Sequence, residues 1–422
     1  MEKQASIQNR RIRAAVATAY KTVPFYRRFM QQKGLRPADF VSAADLEKFP
    51  LLSSRDLSKN PGQFQSSALA NNNGLLMETS GSTGLATRIR HDTRALFLAR
   101  AGGHRSRHVL SHFVGKTMGY REVKVTRRGG TGPLVLQFYK DHSWIPGGVM
   151  LKRAMAYPEE SFEENIRVIN EQKPDVISGF GSYIGAIYRW AWTHGVPVYA
   201  PKIISFGGDA MQEPDRLIIE NEYGIPVISR YQACEALNLA FQCEKGRGFH
   251  ICTDQVAVRI VDGAGNTLPP GQTGELVISN LINRATVLLN YRIGDMAVLS
   301  SLACSCGRTL PMLEELQGRT DDLIVLPNGE AVHESVILSR IYSVPGVLQV
   351  QVIQEHMRRF QIKLVCLANM EENTVAVAVT SCFLDIIGGP KDVEVDIKVL
   401  DFIPQEKNGK FRSVICRSFT RP

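Results

Sequence analysis

A chain of 422 residues is too long to fold around one hydrophobic core, so we expect two or three domains. Its apolar fraction of 44% and charged fraction of 22% are ordinary for a soluble globular protein, and no apolar run is long enough to cross a membrane. The net charge of +9 comes from scattered lysines and arginines, which argues against a nucleic-acid-binding module. The polar start of the chain is unlike a secretory signal, so we expect a cytoplasmic protein.

The pattern of predicted elements changes along the chain. Residues 1–75 predict helices and loops, and residues 160–223 alternate between helix and strand, which indicates a sheet covered by helices. Strand patterns dominate after residue 250. Residues 323–329 predict a hairpin, and the following strands and helix predict a compact α+β domain of about 100 residues.

A short segment before residue 90 combines glycines with hydroxyl side chains in an unbroken run: Thr79, Ser80, Gly81, Ser82, Thr83 and Gly84. Glycine lets the backbone approach a phosphate and point its N–H groups at it, while Ser and Thr add side-chain donors. Leu85 follows Gly84 where a Walker A loop needs lysine, so a P-loop kinase or GTPase is disfavoured. The alternative is an ordinary solvated turn, because the same residue types dominate loops.

Four later segments carry polar residues that could serve a nucleotide site. Tyr231 stands four residues before Glu235, and Asp295 follows a glycine, where it could bind vicinal hydroxyls. Arg319 lies in a Gly-Arg-Thr-Asp-Asp segment at the predicted domain junction, and Lys410 lies on a glycine-flanked turn near the end of the chain.

The cysteines are concentrated in one part of the chain, with five of the eight between residues 234 and 306. Disulfides are not expected in a chain this long without an export signal. Three thiols and one imidazole suit a closed tetrahedral Zn²⁺ site, and the candidates are Cys243, His250, Cys304 and Cys306. Cys252 is a substitute ligand, and the alternative is that these cysteines are simply small buried residues.

In this order, the segments resemble the adenylate-forming superfamily of acyl-CoA synthetases and adenylation domains. The Cys-x-Cys-Gly-Arg-Thr-Leu-Pro stretch at 304–311, followed by Gly-Arg-Thr-Asp-Asp, is typical of its phenylacetate–CoA ligase and CapK-like branch. The resemblance implies an α/β fold in which a large N-terminal domain of mixed sheets and helices, residues 1–320, binds ATP and the acid. A small mobile α+β domain, residues 321–422, would follow it, with the hinge at Asp321.

The resemblance also implies an ATP-dependent reaction that first activates a small, aromatic or similar, carboxylic acid as an acyl-adenylate and then transfers it to the thiol of CoA. Lys410 would bridge the carboxylate and the α-phosphate, Glu235 would bind Mg²⁺, and the run from Thr79 to Gly84 would hold the pyrophosphate. Asp295 would bind the ribose, and Tyr231 would stack on adenine. Further nucleotide contacts would come from Gly207, Gly208, Asp209, Gln232 and Arg319. The zinc would be structural.

Three other functions stay open at this point. The acyl group could be loaded onto the phosphopantetheine of an acyl carrier protein, AMP itself could be delivered to an acceptor, or the chain could bind nucleotide without catalysis. The oligomeric state is also open, with a homodimer as one option. The aromatic side chains expected to line the acid pocket are Phe138, Tyr139, Trp144, Phe180 and Tyr183, together with Ile145.

Several residues depart from the pattern of the superfamily. Cys234 stands where Thr or Ser is usual, and the segment around His333 lacks the usual proline. The remaining departures are Leu85, Asp209, Gln232, Ile293 and Leu338. The departures at Cys234 and His333 put the activity most in doubt.

Overall fold

The computed structural model describes residues 2–69, 74–79, 87–142, 151–326, 328–368, 370–389, 392–406 and 410–417. Its α-helices are α1 (Glu2–Thr22), α2 (Pro24–Gln32), α3 (Ser54–Lys59), α4 (Thr93–Gly102), α5 (His104–Val114), α6 (Thr131–His142), α7 (Phe162–Gln172), α8 (Gly181–Thr193), α9 (Glu213–Asn221), α10 (Glu334–Ile341) and α11 (Glu372–Ile386).

The first strands are β1 (Leu75–Glu78), β2 (Arg88–His91), β3 (Tyr120–Val125), β4 (Leu151–Ala156), β5 (Val176–Gly179), β6 (Ile203–Gly207), β7 (Val227–Ala233), β8 (Leu237–Phe241), β9 (Phe249–Ile251) and β10 (Val256–Val261). They are followed by β11 (Thr273–Asn280), β12 (Tyr291–Leu299), β13 (Met312–Arg319), β14 (Leu323–Val325), β15 (Ala331–His333), β16 (Val347–His356), β17 (Arg359–Cys366), β18 (Glu394–Val399) and β19 (Val414–Cys416).

The described residues divide into two compact units. The first is drawn from Met1–Met118, Thr131–Val149 and Ile228–Gln317, and the second from Gly119–Gly130, Met150–Val227 and Gly318–Pro422. The predicted boundary between residues 320 and 321 stays a prediction.

The first unit is built on the strand order β10-β11-β12-β13-β9-β8-β7. One apolar face of α1 packs in the core of this unit. Its buried residues recur at helical spacing and are Ile12, Ala15, Val16 and Ala19. Tyr26, on α2, is fully buried in the same core, and its hydroxyl accepts a hydrogen bond from the Leu289 N–H at 2.8 Å.

The second unit contains the parallel strands β6-β5-β3-β4 with α7, α8 and α9. Ser161 caps α7, because its hydroxyl accepts a hydrogen bond from the Glu164 N–H at 3.2 Å. Gly179 ends β5 with a φ of +142°, and a Cβ there would lie 1.9 Å from the Val125 carbonyl oxygen, so only glycine fits. This close approach lets the ends of β3 and β5 lie side by side.

The last hundred residues of the second unit form their own four-stranded sheet, in the order β18-β17-β16-β19, with α10 and α11 packed on it. β16 and β17 are antiparallel, whereas β18 and β19 pair in parallel with their neighbours. The predicted hairpin is present as β14 and β15. The predicted mixed α/β fold with a small C-terminal α+β part is therefore confirmed.

Candidate active site

The predicted phosphate loop lies in the sequence between the two strands of a short antiparallel hairpin in the first unit. β1 and β2 pair from Leu75 opposite His91 to Glu78 opposite Arg88. Beyond the last pair, the Thr79 N–H donates to the Thr87 carbonyl and the Thr87 N–H donates to the Thr79 hydroxyl, both at 2.9 Å. Ser80, Gly81, Ser82, Thr83 and Gly84 lie outside the described residues, as does Leu85. The structure therefore describes the strands and the Thr79–Thr87 pair that hold the loop.

Glu235 lies in the tight turn between β7 and β8, and two side chains hold the backbone of this turn. The Cys234 carbonyl lies 2.6 Å from Nε2 of His91, and the Glu235 carbonyl accepts a hydrogen bond from the Asn280 amide at 2.8 Å. The Ala236 N–H closes the turn onto the Ala233 carbonyl at 3.2 Å. With both carbonyls held, the direction in which the Glu235 side chain leaves the turn is fixed.

His91 is a site residue that the sequence analysis missed. Its ring is fully buried, and burial lowers the pKa of the imidazole to about 4, so the ring is neutral at pH 7. Because Nε2 faces a carbonyl, Nε2 carries the proton and donates it to Cys234. A single histidine at the end of a short strand gives no pattern that would have revealed this contact.

The structure brings Tyr231 and Asp295 together, although 64 positions separate them. Tyr231 lies on β7 and Asp295 on β12, and the phenol hydroxyl donates a hydrogen bond to the Asp295 carboxylate. Gly294 precedes the aspartate with a φ of +84°, a conformation that favours glycine. The neighbouring Gln232 is exposed, and its amide donates to the Asn238 side chain at 3.0 Å.

In the second unit, β6 ends at Gly207, and Gly208 then turns the chain with a φ of +94°. Asp209 follows, and its carboxylate accepts hydrogen bonds from the Gly181 N–H at 2.6 Å and from the Ser182 hydroxyl. Ser182 is a second residue that the sequence analysis missed. Burial raises the pKa of Asp209 to about 6, against the lowering effects of the Ser182 hydrogen bond and of the Lys410 charge. The positive charge of Lys410 therefore acts electrostatically on the Asp209 carboxyl.

Two hydrogen bonds to main-chain carbonyls fix the backbone around Lys410. Its carbonyl accepts a hydrogen bond from the Glu406 N–H at 2.8 Å, and the Arg412 carbonyl accepts one from the Gln351 amide at 2.8 Å. Residues 407–409 lie outside the described residues. Arg319 ends β13, and its carbonyl faces Nε2 of His333 at 2.8 Å.

The four predicted zinc ligands form one cluster in the first unit. The ligand atoms of Cys243, His250, Cys304 and Cys306 all lie within 4.8 Å of one another. The Cys243 and Cys304 sulfurs are 3.7 Å apart, and Nε2 of His250 is 3.3 Å from the Cys306 sulfur. A Zn–S bond of about 2.3 Å at tetrahedral angles separates two sulfurs by about 3.8 Å, so the donors fit zinc in number, type and spacing. We call these four residues the cysteine–histidine cluster.

Cys252, considered as a substitute ligand, is not part of this cluster. Its thiol is buried beside Arg105, and burial raises the pKa of the thiol to about 11. The four residues that the sequence analysis preferred are thus the ones brought together.

The predicted pocket aromatics pack in the interiors of the two units. Phe138 and Tyr139 cluster with Met77 and Leu96 in the first unit, where the Tyr139 hydroxyl donates to the Leu96 carbonyl at 2.6 Å. In the second unit Tyr183 is buried and Phe180 partly buried, and the Gly208 turn lies against the Phe180 ring. Trp144 and Ile145 lie outside the described residues.

Comparisons with known proteins show what the chain is similar to. Residues 324–417 match the CapK C-terminal domain. The chain is 27% identical over 365 residues to the phenylacetate-coenzyme A ligase of Thermus thermophilus, which covers 82% of this chain and 77% of that enzyme. It is 20% identical over 376 residues to protein CapK of Staphylococcus aureus, which covers 87% and 80% of the two chains.

The chain is thus similar to phenylacetate-coenzyme A ligases over most of its length and carries a match to the CapK C-terminal domain, as the sequence resemblance led us to expect.

The fold of the branch is also seen in solved structures. A crystal structure of 2-hydroxyisobutyryl-CoA ligase in the postadenylation state matches with a TM-score of 0.78 at 18% identity, covering 98% of this chain and 90% of that one. A structure of the same ligase in the thioesterification state matches with a TM-score of 0.62 at 19% identity. At this identity the likeness shows a common fold. Among the described residues, no helix combines the length and the apolar character that a membrane span requires.

Two departures from the pattern of the branch have structural explanations. The Cys234 thiol lies 3.8 Å from the Glu78 carbonyl, next to the backbone contact that His91 makes, so the side chain faces the end of β1, just before the predicted phosphate loop. His333 takes over helix capping where proline is missing: its Nδ1 accepts from the Ser335 N–H at 3.3 Å at the start of α10. Ile293, a third departure, is buried in the core of the first unit.

Proposed function

We propose that this chain is an AMP-forming ligase that joins a small, aromatic or similar, carboxylic acid to CoA through an acyl-adenylate. The observations that carry the proposal are the hydrogen bond that joins Tyr231 to Asp295 and the electrostatic influence of Lys410 on Asp209, whose pKa it lowers against the effect of burial. Lys410, which precedes β19, thus acts electrostatically on Asp209, in the segment where the resemblance implies nucleotide contacts.

The first half-reaction joins two anions. A carboxylate oxygen of the acid attacks the α-phosphorus of ATP, a new P–O bond forms, and the bond to the β-phosphate breaks to release pyrophosphate. Lys410 would lower the repulsion between the carboxylate and the α-phosphate, since positioning and charge stabilisation dominate phosphoryl transfer. Glu235 would bind the Mg²⁺ that accompanies ATP, because Mg²⁺ prefers one or two carboxylates together with phosphate oxygens.

The second half-reaction transfers the acyl group. The thiolate sulfur of CoA attacks the acyl carbon, the bond from that carbon to the phosphate oxygen breaks, and AMP leaves. A thiol with a pKa near 8.5 is a few per cent ionised at neutral pH, so its proton can pass to solvent without a dedicated base. Asp295 would bind the ribose, Tyr231 would contact the adenine, and Arg319 would reach the ribose or phosphate.

We also propose that the cysteine–histidine cluster holds a structural Zn²⁺ that stabilises the first unit. Such closed sites contribute directly to folding and leave no open coordination position for a substrate. The use of ATP and CoA, and reduced cysteines as zinc ligands, both fit a cytoplasmic protein.

The proposal is tested by carboxylate-dependent exchange of pyrophosphate into ATP, measured over a panel of small acids. Lys410→Ala should lower this exchange by roughly 10²- to 10³-fold, because it removes a charge that acts in the transition state. Thioester formation from a chemically supplied acyl-adenylate and CoA should stay close to the wild-type rate. Lys398→Ala, which changes an exposed lysine on β18, is the matched control and should affect neither step.

Some outcomes would contradict parts of this proposal. If no acid supports exchange in the wild type, the chain is not a ligase of this kind. If exchange occurs but CoA does not accept the acyl group, a carrier-protein thiol becomes the acceptor to test. Equal loss of both half-reactions in Lys410→Ala would remove the assigned role of the lysine.

A further inference from the structure

The junction between β13 and β14 contains a buried ion pair that the proposed chemistry does not use. Both Nε and Nη2 of Arg412 donate to the same carboxylate oxygen of Asp322, at 3.0 and 2.7 Å. Only 8% of the Asp322 side chain and 19% of the Arg412 side chain are exposed. Asp322 directly follows Asp321, the predicted hinge, and Arg412 follows Lys410 by two residues. One ion pair thus connects the hinge to the segment that carries the lysine.

Glu334 completes this group, which we call the hinge cluster: Asp322, Glu334 and Arg412. The Glu334 N–H donates to the Asp322 carbonyl at 2.9 Å. Its carboxylate lies directly against Gly318, where a Cβ would come within 2.2 Å of Oε1, and Gly318 has a φ of +92°. Glycine at residue 318 is therefore needed for two reasons, the space for the carboxylate and the backbone conformation. Glu334 thereby links the start of α10 to the end of β13, just before the hinge.

The backbone of Arg412 is fixed as firmly as its side chain. The Gln351 amide donates to the Arg412 carbonyl at 2.8 Å, and the Val352 N–H donates to the Ser413 carbonyl at 2.7 Å. β19 then begins, with Val414 opposite Val352 on β16. Arg412 is therefore held at three points: at the hinge through its side chain, and on β16 through its own carbonyl and that of the next residue.

This anchoring restricts where Lys410 can be. Two residues span at most about 7 Å, so the Lys410 backbone cannot lie farther than that from the Arg412 backbone. The Lys410 charge nevertheless influences Asp209, a partly buried residue on a different segment of the second unit. A shift of about 1 Å in the anchor would be enough to disturb this influence.

We propose that Arg412 is a positioning residue for adenylate formation: its ion pair with Asp322 fixes the Lys410 segment to the hinge. The inference deepens the proposed function and rests on it, because it assumes that Lys410 acts in the first half-reaction. A purely structural ion pair would support both half-reactions equally. A positioning pair affects adenylate formation far more than thioester formation, in which Lys410 has no assigned part.

The test compares Arg412→Met, Arg412→Lys and Asp322→Asn with the wild type in both half-reactions. Arg412→Met should lower carboxylate-dependent pyrophosphate exchange by roughly 10²-fold, while thioester formation from supplied acyl-adenylate changes less than about twofold. Arg412→Lys should recover part of the exchange, since it keeps the charge and loses the second hydrogen bond. The double variant Arg412→Met with Asp322→Asn should be no slower than Arg412→Met alone, because the two residues act through one contact.

The matched control is Arg417→Met. Arg417 lies just after β19, and its guanidinium pairs with Glu355 at 2.7 Å, but its side chain is 56% exposed. This variant should leave exchange and thioester formation unchanged, because an exposed pair contributes little. An effect as large as that of Arg412→Met would mean that any lost arginine on this edge of the sheet slows the enzyme.

A second readout does not depend on catalysis. The acylation rate of Lys410 by an amine-reactive reagent, followed by peptide mass spectrometry, reports how firmly the lysine is held. It should rise several-fold in Arg412→Met and stay unchanged in Arg417→Met. If the wild type shows no exchange but the labelling changes as expected, the positioning contact stands and the proposed function fails. If exchange is active and Arg412→Met slows both half-reactions equally, or leaves labelling unchanged, the positioning role is overturned.

Discussion

The cysteine–histidine cluster of the first unit and the hinge cluster of the second unit differ in what balances their polar groups. The first cluster consists only of ligand atoms, three sulfurs and an imidazole nitrogen within 4.8 Å, and contributes no cation of its own. The second contains its own cation, since the Arg412 guanidinium faces the Asp322 carboxylate at 2.7 Å. A set of ligand side chains of this kind offers a site for an added metal ion, whereas a buried ion pair is complete with the chain alone.

The largest expected effect is on the first cluster. Removal of zinc by a strong chelator, or Cys304→Ser, should lower the melting temperature by more than about 10 °C, because structural zinc contributes many kcal/mol to folding. Purified wild-type protein should contain one zinc per chain, and Cys304→Ser should contain less. The control is Cys382→Ser, which changes a partly buried thiol on α11 outside the cluster. Zinc-free protein with an unchanged melting temperature would show that the cluster needs no metal.

A second buried ion pair, which also contains its own cation, tests the difference between the two kinds of cluster. Arg189 and Asp215 are 4% and 2% exposed, their charged groups are 2.6 Å apart, and Arg189 also donates to Gln349 at 2.7 Å. Arg189→Met leaves Asp215 buried without its cation and should cost about 3–5 kcal/mol in the free energy of unfolding. In denaturant titrations this loss should be the same with and without chelator.

Arg167→Met is the control for that experiment. Arg167 pairs with Glu164 and Glu171, but its side chain is 56% exposed, so its loss should leave the free energy of unfolding nearly unchanged. If Arg189→Met and Arg167→Met lower the free energy of unfolding equally, burial does not determine how much each ion pair contributes to stability. If chelator changes the cost of Arg189→Met, the second unit is not independent of the metal.

The smallest expected effect concerns Glu334, the uncompensated member of the hinge cluster. Burial and the nearby Asp322 charge raise its pKa to about 8, against the lowering effect of Arg412. A pKa raised in the folded state means that this group contributes full stability below about pH 4.5, and the contribution is lost as the pH rises towards 8. Glu334→Gln cannot ionise, so its melting temperature should exceed that of the wild type by a few degrees at pH 8 and by less at pH 5. Parallel pH profiles for the two proteins would contradict this.

Local patterns were sufficient to predict much of the fold. The alternation of Val395, Ile397 and Val399 is typical of a strand, and these side chains are the less exposed ones on β18. The helix α8 and the strand β6 lie within residues 160–223, where alternating helices and strands were predicted. Such patterns are readable because the period of a strand or helix is set by neighbouring residues.

The candidate site was predictable only where chemistry restricts the partners. Three cysteines and a histidine are together typical of a metal site, so their grouping could be predicted. The contact between His91 and Cys234 spans 143 positions, and the pair of Arg412 with Asp322 spans 90. Histidine, arginine and aspartate have many possible partners, and no periodicity links such distant positions. These contacts follow from the packing of the strands, which the sequence alone does not specify.

The pairing of β1 with β2 has a consequence for how the two ends of this hairpin behave. One end leads into residues 80–86 through the Thr79–Thr87 contacts, and the other end places His91 under the Cys234 carbonyl. Adjacent residues of a strand point to opposite sides, so a slip by a single position would turn His91 away from the turn that carries Glu235. An insertion near the glycines that shifted this register would therefore break the contact between His91 and Cys234. Its effect would reach the position of the Glu235 carboxylate as well as the loop.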